Sequence, residues 1–222
     1  MQLDNRLMAL ANLVRKDKCF ADIGTDHAYL PVYLVENGII NKAIAADLRV
    51  GPLENAKETV VSHNLTDKIE LRLSDGLDNF KENEVEEIAV AGMGGLLISS
   101  FIKRTTWLKN ENVHLILQPM THVEELRKTL FDNNFIIDKE VVVKDGDKLY
   151  IILSCYYYNS PTAYTDLDLI VGKLPYNSDD LSKEYLAHVY TKYNKKFIAL
   201  KKAQKECYDL EKIVGELSKW QQ

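Results

Sequence analysis

The stretch Ala21-Asp22-Ile23-Gly24-Thr25-Asp26-His27-Ala28-Tyr29-Leu30-Pro31 decides the fold. Its opening residues are apolar apart from one acid, a single glycine follows, and Pro31 falls in a first helical turn, where its missing N–H costs nothing. The pattern predicts a buried strand from Cys19 to Ile23, a glycine turn, and a helix from Tyr29 to Asn37 stopped by Gly38. In an open parallel sheet such a corner brings backbone N–H groups and a positive helix end to the carboxyl edge of the strands, where ligands collect. Thr25, Asp26 and His27 stand where a dinucleotide fingerprint would place more glycine, so close approach of a pyrophosphate is not provided for.

Outward from this corner, apolar strands and amphipathic helices alternate. Leu3, Leu7, Leu10 and Val14 mark a helix before the corner. After it come a strand at Lys42 to Asp47, a helix at Pro52 to His63 and a strand at Ile69 to Leu73 ending in Ser74-Asp75-Gly76. Glu87 to Ala91 then runs into Gly92-Met93-Gly94-Gly95 and a helix from Leu96 to about Trp107. His114 to Leu117 ends at Gln118-Pro119-Met120, before a helix near His122 to Asn133. Five such units require a parallel sheet with helices on both faces. The sixth differs, because Phe135 to Val143 and Leu149 to Tyr158 are separated only by Lys144 to Lys148, too few residues for a crossover helix. They must form an antiparallel hairpin turning at Asp145-Gly146. The predicted fold is α/β: a doubly wound, mostly parallel seven-stranded sheet with a terminal antiparallel hairpin, an architecture similar to that of class I methyltransferases.

Past Tyr158 the composition changes. Asn159-Ser160-Pro161 reads as a linker, dividing the chain into a domain at 1–159 and a helical one at 160–222. From Leu181 onward Leu186, Val189, Tyr193, Phe197, Leu200, Ala203, Cys207, Leu210, Val214 and Leu217 step by three or four, close to the repeat of a coiled coil. One long helix or a folded-back pair both satisfy this spacing.

The chain has 222 residues and a net charge of −5. Its charge is segregated: 161–222 carries ten basic against nine acidic side chains, whereas 1–160 carries 18 against 24. Cys19, Cys155 and Cys207 lack metal-ligand or disulfide spacing, which predicts a reduced, cytoplasmic protein with no metal. No apolar run reaches the ~18 residues of a membrane span, and charges interrupt Met1 to Lys16, so neither a membrane anchor nor a signal peptide is expected.

Three predicted strand ends converge on one crevice. Asp47, about 20 residues past the glycine turn, suits the two hydroxyls of a ribose, although a strand-end acid also caps helices. Asp75 suits an adenine amino group, although Asp-Gly is also an ordinary turn. Polar Thr25, Asp26 and His27 suit an ammonium and a carboxylate. A ligand with an adenosine end and an amino-acid end, S-adenosylmethionine, satisfies all of these. Gly92 to Gly95 removes side chains where a flat base could approach, and Met93 could pack on a base or on the core. Lys192, Lys195, Lys196, Lys201, Lys202 and Lys205 form a run without acids that could contact phosphate, the alternative being a solvated helix face.

Together, Ala21 to Tyr29, Gly51-Pro52, Asp75-Gly76-Leu77, Ala91 to Gly95 and Leu117-Gln118-Pro119 resemble the bacterial tRNA (adenine-22-N1)-methyltransferases over nearly the whole chain. The resemblance implies methyl transfer from S-adenosylmethionine to N1 of an adenine in tRNA, with Gly24, Asp26, His27, Asp47 and Asp75 on the cofactor and the Gly92 to Gly95 segment beside the target base. The full cofactor set expected is Asp22, Gly24, Thr25, Asp26, His27, Asp47, Leu48, Asp75, Gly76, Gly92, Met93 and Gly94. The substrate set is Gly94, Gly95, Gln118 and the six lysines. Asp26 is the one candidate for a catalytic side chain, and the expected assembly is a monomer or weak dimer. The chain departs from the family pattern at Ala46-Asp47-Leu48, where glutamate and glycine are usual, and at Met120, where asparagine is usual. Rival readings are an S-adenosylmethionine enzyme for another RNA or a small molecule, a non-catalytic RNA-binding or dimerisation module on the same shell, and a nicotinamide dehydrogenase.

Overall fold

The computed structural model describes residues 1–220; Gln221 and Gln222, the end of the predicted helical tract, lie outside the described residues. The strands are β1 Phe20–Ile23, β2 Ala43–Asp47, β3 Ile69–Leu73, β4 Glu87–Gly94, β5 His114–Thr121, β6 Phe135–Asp145 and β7 Lys148–Tyr157. They form one sheet in the order β3-β2-β1-β4-β5-β7-β6. The first five strands run parallel, and β7 is antiparallel to both its neighbours, β5 and β6. The predicted hairpin therefore inserts its second strand beside β5. The order in which successive parallel strands are added reverses between β1 and β4, and at this chain-reversal point an open α/β sheet leaves a crevice at the strand ends.

Alternation along the strands sorts the core into two layers. Phe20, Ala45, Ala89 and Ile116 pack with α1 (Asn5–Ala11), α2 (Tyr29–Glu36) and α3 (Val50–Ser62). Ala21, Ile88, Leu115 and Leu153 pack on the other face with α4 (Gly95–Arg104) and α5 (Val123–Asp132). The same parity places Asp22 on β1, Ala91 on β4 and Gln118 on β5 toward α1, since Asp22 pairs with Ala89 and Ala91 with Gln118.

Two segments depart from the sequence expectation. β4 and β5 continue through Gly92-Met93-Gly94 and Gln118-Pro119-Met120-Thr121, whose local sequence reads as loop; the ladder persists through register shifts around Met93. Such a bulge spends an extra residue and bends the strand, and Gly92 supplies it at φ +76°. Pro119 is tolerated because β7 pairs with β5 only over His114 to Leu117.

The C-terminal unit comprises α6 (Asp166–Val171), α7 (Asp180–Lys202) and α8 (Tyr208–Ser218). Of the two forms compatible with the repeat, the folded-back one is present. The chain turns at Ala203 to Cys207, with Gln204 at φ +53°. Leu186, Tyr193, Val214 and Leu217 share a core with Ile170, Leu174 and, from the hairpin, Val142 and Ile151. Asp179 caps α7 and Thr165 opens α6 in a capping box with Asp168. A fully buried ion pair ties this unit down. Arg127 of α5 donates to Glu140 of β6 at 2.8 and 3.1 Å and to the carbonyls of Leu169 and Ile170, while Glu140 also accepts from the Lys173 amide.

Candidate active site

The glycine turn builds the wall of a cavity of about 360 Å³ at the chain-reversal point, bounded by the end of β1, the bulge of β4 and helix α1. Gly24 takes φ +81°, and a Cβ there would overlap the methyl of Met93. Its amide and that of Thr25, which the sequence leaves as open donors at this corner, are used within the fold. Both donate to the Ala46 carbonyl, at 2.8 and 3.0 Å, and pin the turn to β2. Thr25 is buried, with its Oγ1 accepting from the Ala28 amide at 3.1 Å. That bond holds Ala28 in the left-handed conformation that starts α2. Asp26 and His27 remain at the mouth, and the His27 ring stacks on Tyr29 with centroids 5.0 Å apart.

Asp22 lies at the base of this cavity, 9% exposed. Burial pushes its carboxyl up to about 6, against the opposing pull of a hydrogen bond from Thr25 and the charge of Arg6; nearby Asp47 adds to the rise. Asp47 terminates β2. Its Oδ1 accepts the Arg49 amide at 2.8 Å, and its Oδ2 takes no hydrogen bond among the described residues. Gly92 lines the same cavity, and a Cβ there would meet no atom within 4 Å, so its bare backbone faces open space.

Other expected site residues have different surroundings. Gln118 is fully buried and engaged within the protein: its Oε1 accepts from the Gly92 amide and from Arg6, and its Nε2 donates to the Pro119 carbonyl. It fixes the bulge. Gly95 is buried where a Cβ would overlap the carbonyls of Thr121 and His122, and a Cβ on Gly94 would stand 3.3 Å from Thr121 Oγ1. These two glycines let β5 pack against the β4–α4 turn, so the open edge expected at Gly94 and Gly95 belongs to Gly92. Gly76, at φ +58°, backs onto the Phe101 ring, and Asp75, half-exposed, pairs with Arg104 at 2.9 Å.

Sequence reading misses two features. One is the participation of α1, whose Asp4, Arg6 and Leu7 form a cavity wall; its leucine spacing marks it only as a core helix. The other is an apolar rim. Tyr29, Leu48, Val50, Leu73, Leu96, Leu97 and Met120 are all large, exposed and at or just past strand ends on the carboxyl edge. Apolar groups gathered on one edge mark a binding face.

A groove of about 510 Å³ runs from the end of β5, at Met120 to His122, to Tyr185, His188 and Lys192 on α7. Lys192 pairs with Glu124 at 3.1 Å. Lys195, Lys196, Lys201, Lys202 and Lys205 are exposed and have no acidic partner among the described residues. Among those residues no group of histidines, cysteines and carboxylates could hold a metal, and no helix is long and apolar enough to cross a membrane.

A model of the methyltransferase domain matches residues 3–153. The tRNA (adenine(22)-N(1))-methyltransferase of Bacillus subtilis is 34% identical over 174 residues, 78% of this chain and 73% of that one. The chain belongs to the tRNA (adenine(22)-N(1))-methyltransferase family. Among solved structures, a Streptococcus pneumoniae protein in complex with S-adenosyl-L-methionine is 31% identical with a TM-score of 0.86, covering 100% of both chains. TrmK of M. capricolum, in complex with S-adenosyl-homocysteine, is 26% identical with a TM-score of 0.79, covering 99% of this chain and 96% of that one. The likeness thus extends through the helical unit to the whole family chain, and a dinucleotide dehydrogenase reading is set aside.

Proposed function

We propose that this protein methylates N1 of adenine 22 in tRNA, using S-adenosylmethionine, as a cytoplasmic enzyme acting as a monomer or weak dimer. The observation that carries the reading is the cavity at the chain-reversal point. There the buried carboxyl of Asp22 and the bare backbone of Gly92 line one space with Asp26, His27 and Tyr29, and the Asp47 carboxylate at the end of β2 lies near enough to act electrostatically on Asp22. These residues fit the cofactor. Asp47 offers its open Oδ2 to the ribose hydroxyls, Asp22 faces the ammonium end, and Leu48 with the Asp75–Gly76 turn borders the adenine.

When bound, S-adenosylmethionine supplies an electrophilic methyl that the lone pair on adenine N1 displaces from sulfur. The base needs no deprotonation first, so the chain's contribution is placement, worth about 7–11 kcal/mol when reacting groups are well oriented. N1 lies on the pairing edge, and the purine must leave its stack to be reached. Leu96, Leu97 and Met120 present apolar surface to such an extruded base, and the stacked His27–Tyr29 pair offers a flat face beside it. Asp26, well exposed at the mouth, sits on the substrate side of the cavity and is the side chain we assign to orienting the purine. The product's proton passes to solvent; no general base is assigned.

A separate groove runs from the end of β5 to Lys192 on α7, the helix that also carries Lys195, Lys196, Lys201 and Lys202, which offers the RNA backbone a path onto 160–222. We read that segment as the tRNA-contacting domain and 1–159 as the cofactor domain. The test is to incubate the protein with labelled S-adenosylmethionine and unmodified tRNA, digest it and map the labelled nucleoside. Label in 1-methyladenosine at position 22 is expected; label elsewhere, or only in small molecules, rejects the reading.

A further inference from the structure

We infer that the groove between the β6–β7 hairpin and α7 is a second base pocket, which holds a nucleotide next to the target adenine out of its stack while the target occupies the crevice. The inference rests on the tRNA reading above. The groove, about 510 Å³, falls in the size range of small-ligand pockets. Met120, at the end of β5, lines it and also belongs to the apolar rim of the crevice, so the two sites are neighbours. The floor of the groove is apolar: Leu149 and Ile151 from one face of β7, Ile170 from α6 and Val189 from α7 all pack in the core of the helical unit. On α7, Tyr185, His188, Val189 and Lys192 recur three and four residues apart and so share one face of the helix. Two polar heads on that face are open. His188 is exposed and Tyr185 half-buried, and neither the His188 ring nor the Tyr185 hydroxyl makes a hydrogen bond or ion pair among the described residues. His122, by contrast, is engaged with Thr121 Oγ1 at 3.0 Å. Burial pushes the Tyr185 phenol up, so it stays a protonated donor.

The charge of the groove decides what enters it. Lys148 and Lys192 line it together with Asp147 and Glu124, and Lys192 is paired with Glu124 at 3.1 Å. Two cations balanced by two carboxylates do not select a phosphate; the unpaired lysines farther along α7 do that. A nucleobase fits what remains: flat apolar faces for the floor and the aromatic rings, and an edge of donors and acceptors for the imidazole and the phenol. An apolar peptide segment would leave both polar heads unpaired. Holding the neighbouring base on an aromatic ring offsets part of the stacking that is lost when the target purine is extruded.

The test is a double-mutant cycle between protein and RNA, with binding read by filter retention in the presence of S-adenosylhomocysteine. The protein partner is the full chain carrying His188→Ala or Tyr185→Phe; the RNA partner is tRNA with an abasic site on one side or the other of adenine 22. On intact tRNA, His188→Ala should weaken binding about 5- to 150-fold, the range for one stacked base. Tyr185→Phe, which keeps the ring, should cost about 2- to 10-fold, one hydrogen bond. One of the two abasic tRNAs should bind the wild-type chain as weakly as intact tRNA binds His188→Ala. Against that abasic tRNA both variants should lose less than about twofold more, the mark of coupled groups. Affinity for S-adenosylhomocysteine alone should stay within about twofold in both variants, which shows that they are folded. Additive losses at both abasic positions, or variants that bind intact tRNA as the wild type does, overturn the second pocket while methylation of adenine 22 by the wild-type chain keeps the tRNA reading intact. A wild-type chain that does not methylate adenine 22 overturns both.

Discussion

Asp22→Asn should make the free protein more stable at neutral pH while weakening its grip on the cofactor. The wild-type carboxyl is pushed from its ordinary value near 3.8 up to about 6 by burial. A carboxyl that holds its proton more tightly when folded lowers stability as pH rises from about 4 to about 6, and the deficit persists above that. Two pH units correspond to about 3 kcal/mol, and asparagine, never ionised, avoids it. The asparagine gives up the attraction of Arg6, already included in that balance, so a net gain of about 1–3 kcal/mol is expected at pH 8. For a chain of this length that is a rise of roughly 3–10 °C in melting temperature. Thermal or urea unfolding of both proteins without ligand, between pH 4 and 8, reads it directly. The gain should shrink to nothing near pH 4. Calorimetry in the same buffers should show wild-type affinity for S-adenosylmethionine climbing as Asp22 ionises, a dependence absent from the variant. An Asp22→Asn protein that is less stable at pH 8, or equally shifted at every pH, refutes the reasoning.

Asp47→Ala should raise the dissociation constant for S-adenosylhomocysteine about 100-fold, as charge-assisted bonds to two hydroxyls disappear, with tRNA affinity nearly unchanged; calorimetry and filter binding separate the two. Replacing Lys195, Lys196, Lys201 and Lys202 with alanine should weaken tRNA binding and reduce its salt slope by about 0.9 for each phosphate no longer neutralised; an unaltered slope means that the arm does not touch phosphate. Glu140→Gln leaves Arg127 buried beside a neutral partner and should cost about 3–5 kcal/mol in urea unfolding. Limited proteolysis should then cut first within 160–180, where the helical unit is tied to the sheet.

Much of the architecture is legible in the sequence because local and tertiary signals agree. The glycine turn with Pro31 marks β1 and α2 nearly to the residue, and the five-residue gap at Lys144 to Lys148 requires the hairpin that closes the sheet. The misread segments are places where tertiary pairing overrides local signals. Gly92 to Gly94 and Pro119 read as strand breakers, yet the β4–β5 ladder carries both through a bulge. Gln118 looks like a solvated loop residue, whereas the alternation that buries Ile116 also buries Gln118. The repeat from Leu186 to Leu217 runs through its turn without a proline or glycine there, so nothing local marks Gln204 as the residue that reverses the chain. Arg6 is hidden for a similar reason, since a lone charge on an amphipathic helix acquires meaning only when the opposite cavity wall is known.

The account stands on where the methyl donor sits. A crystal of the protein soaked with S-adenosylhomocysteine should show the ligand at the chain-reversal point, its ribose on Asp47, its sulfur over Gly92 and its ammonium on Asp22. Density for the ligand at any other place, or an empty crevice at saturating concentration, contradicts it.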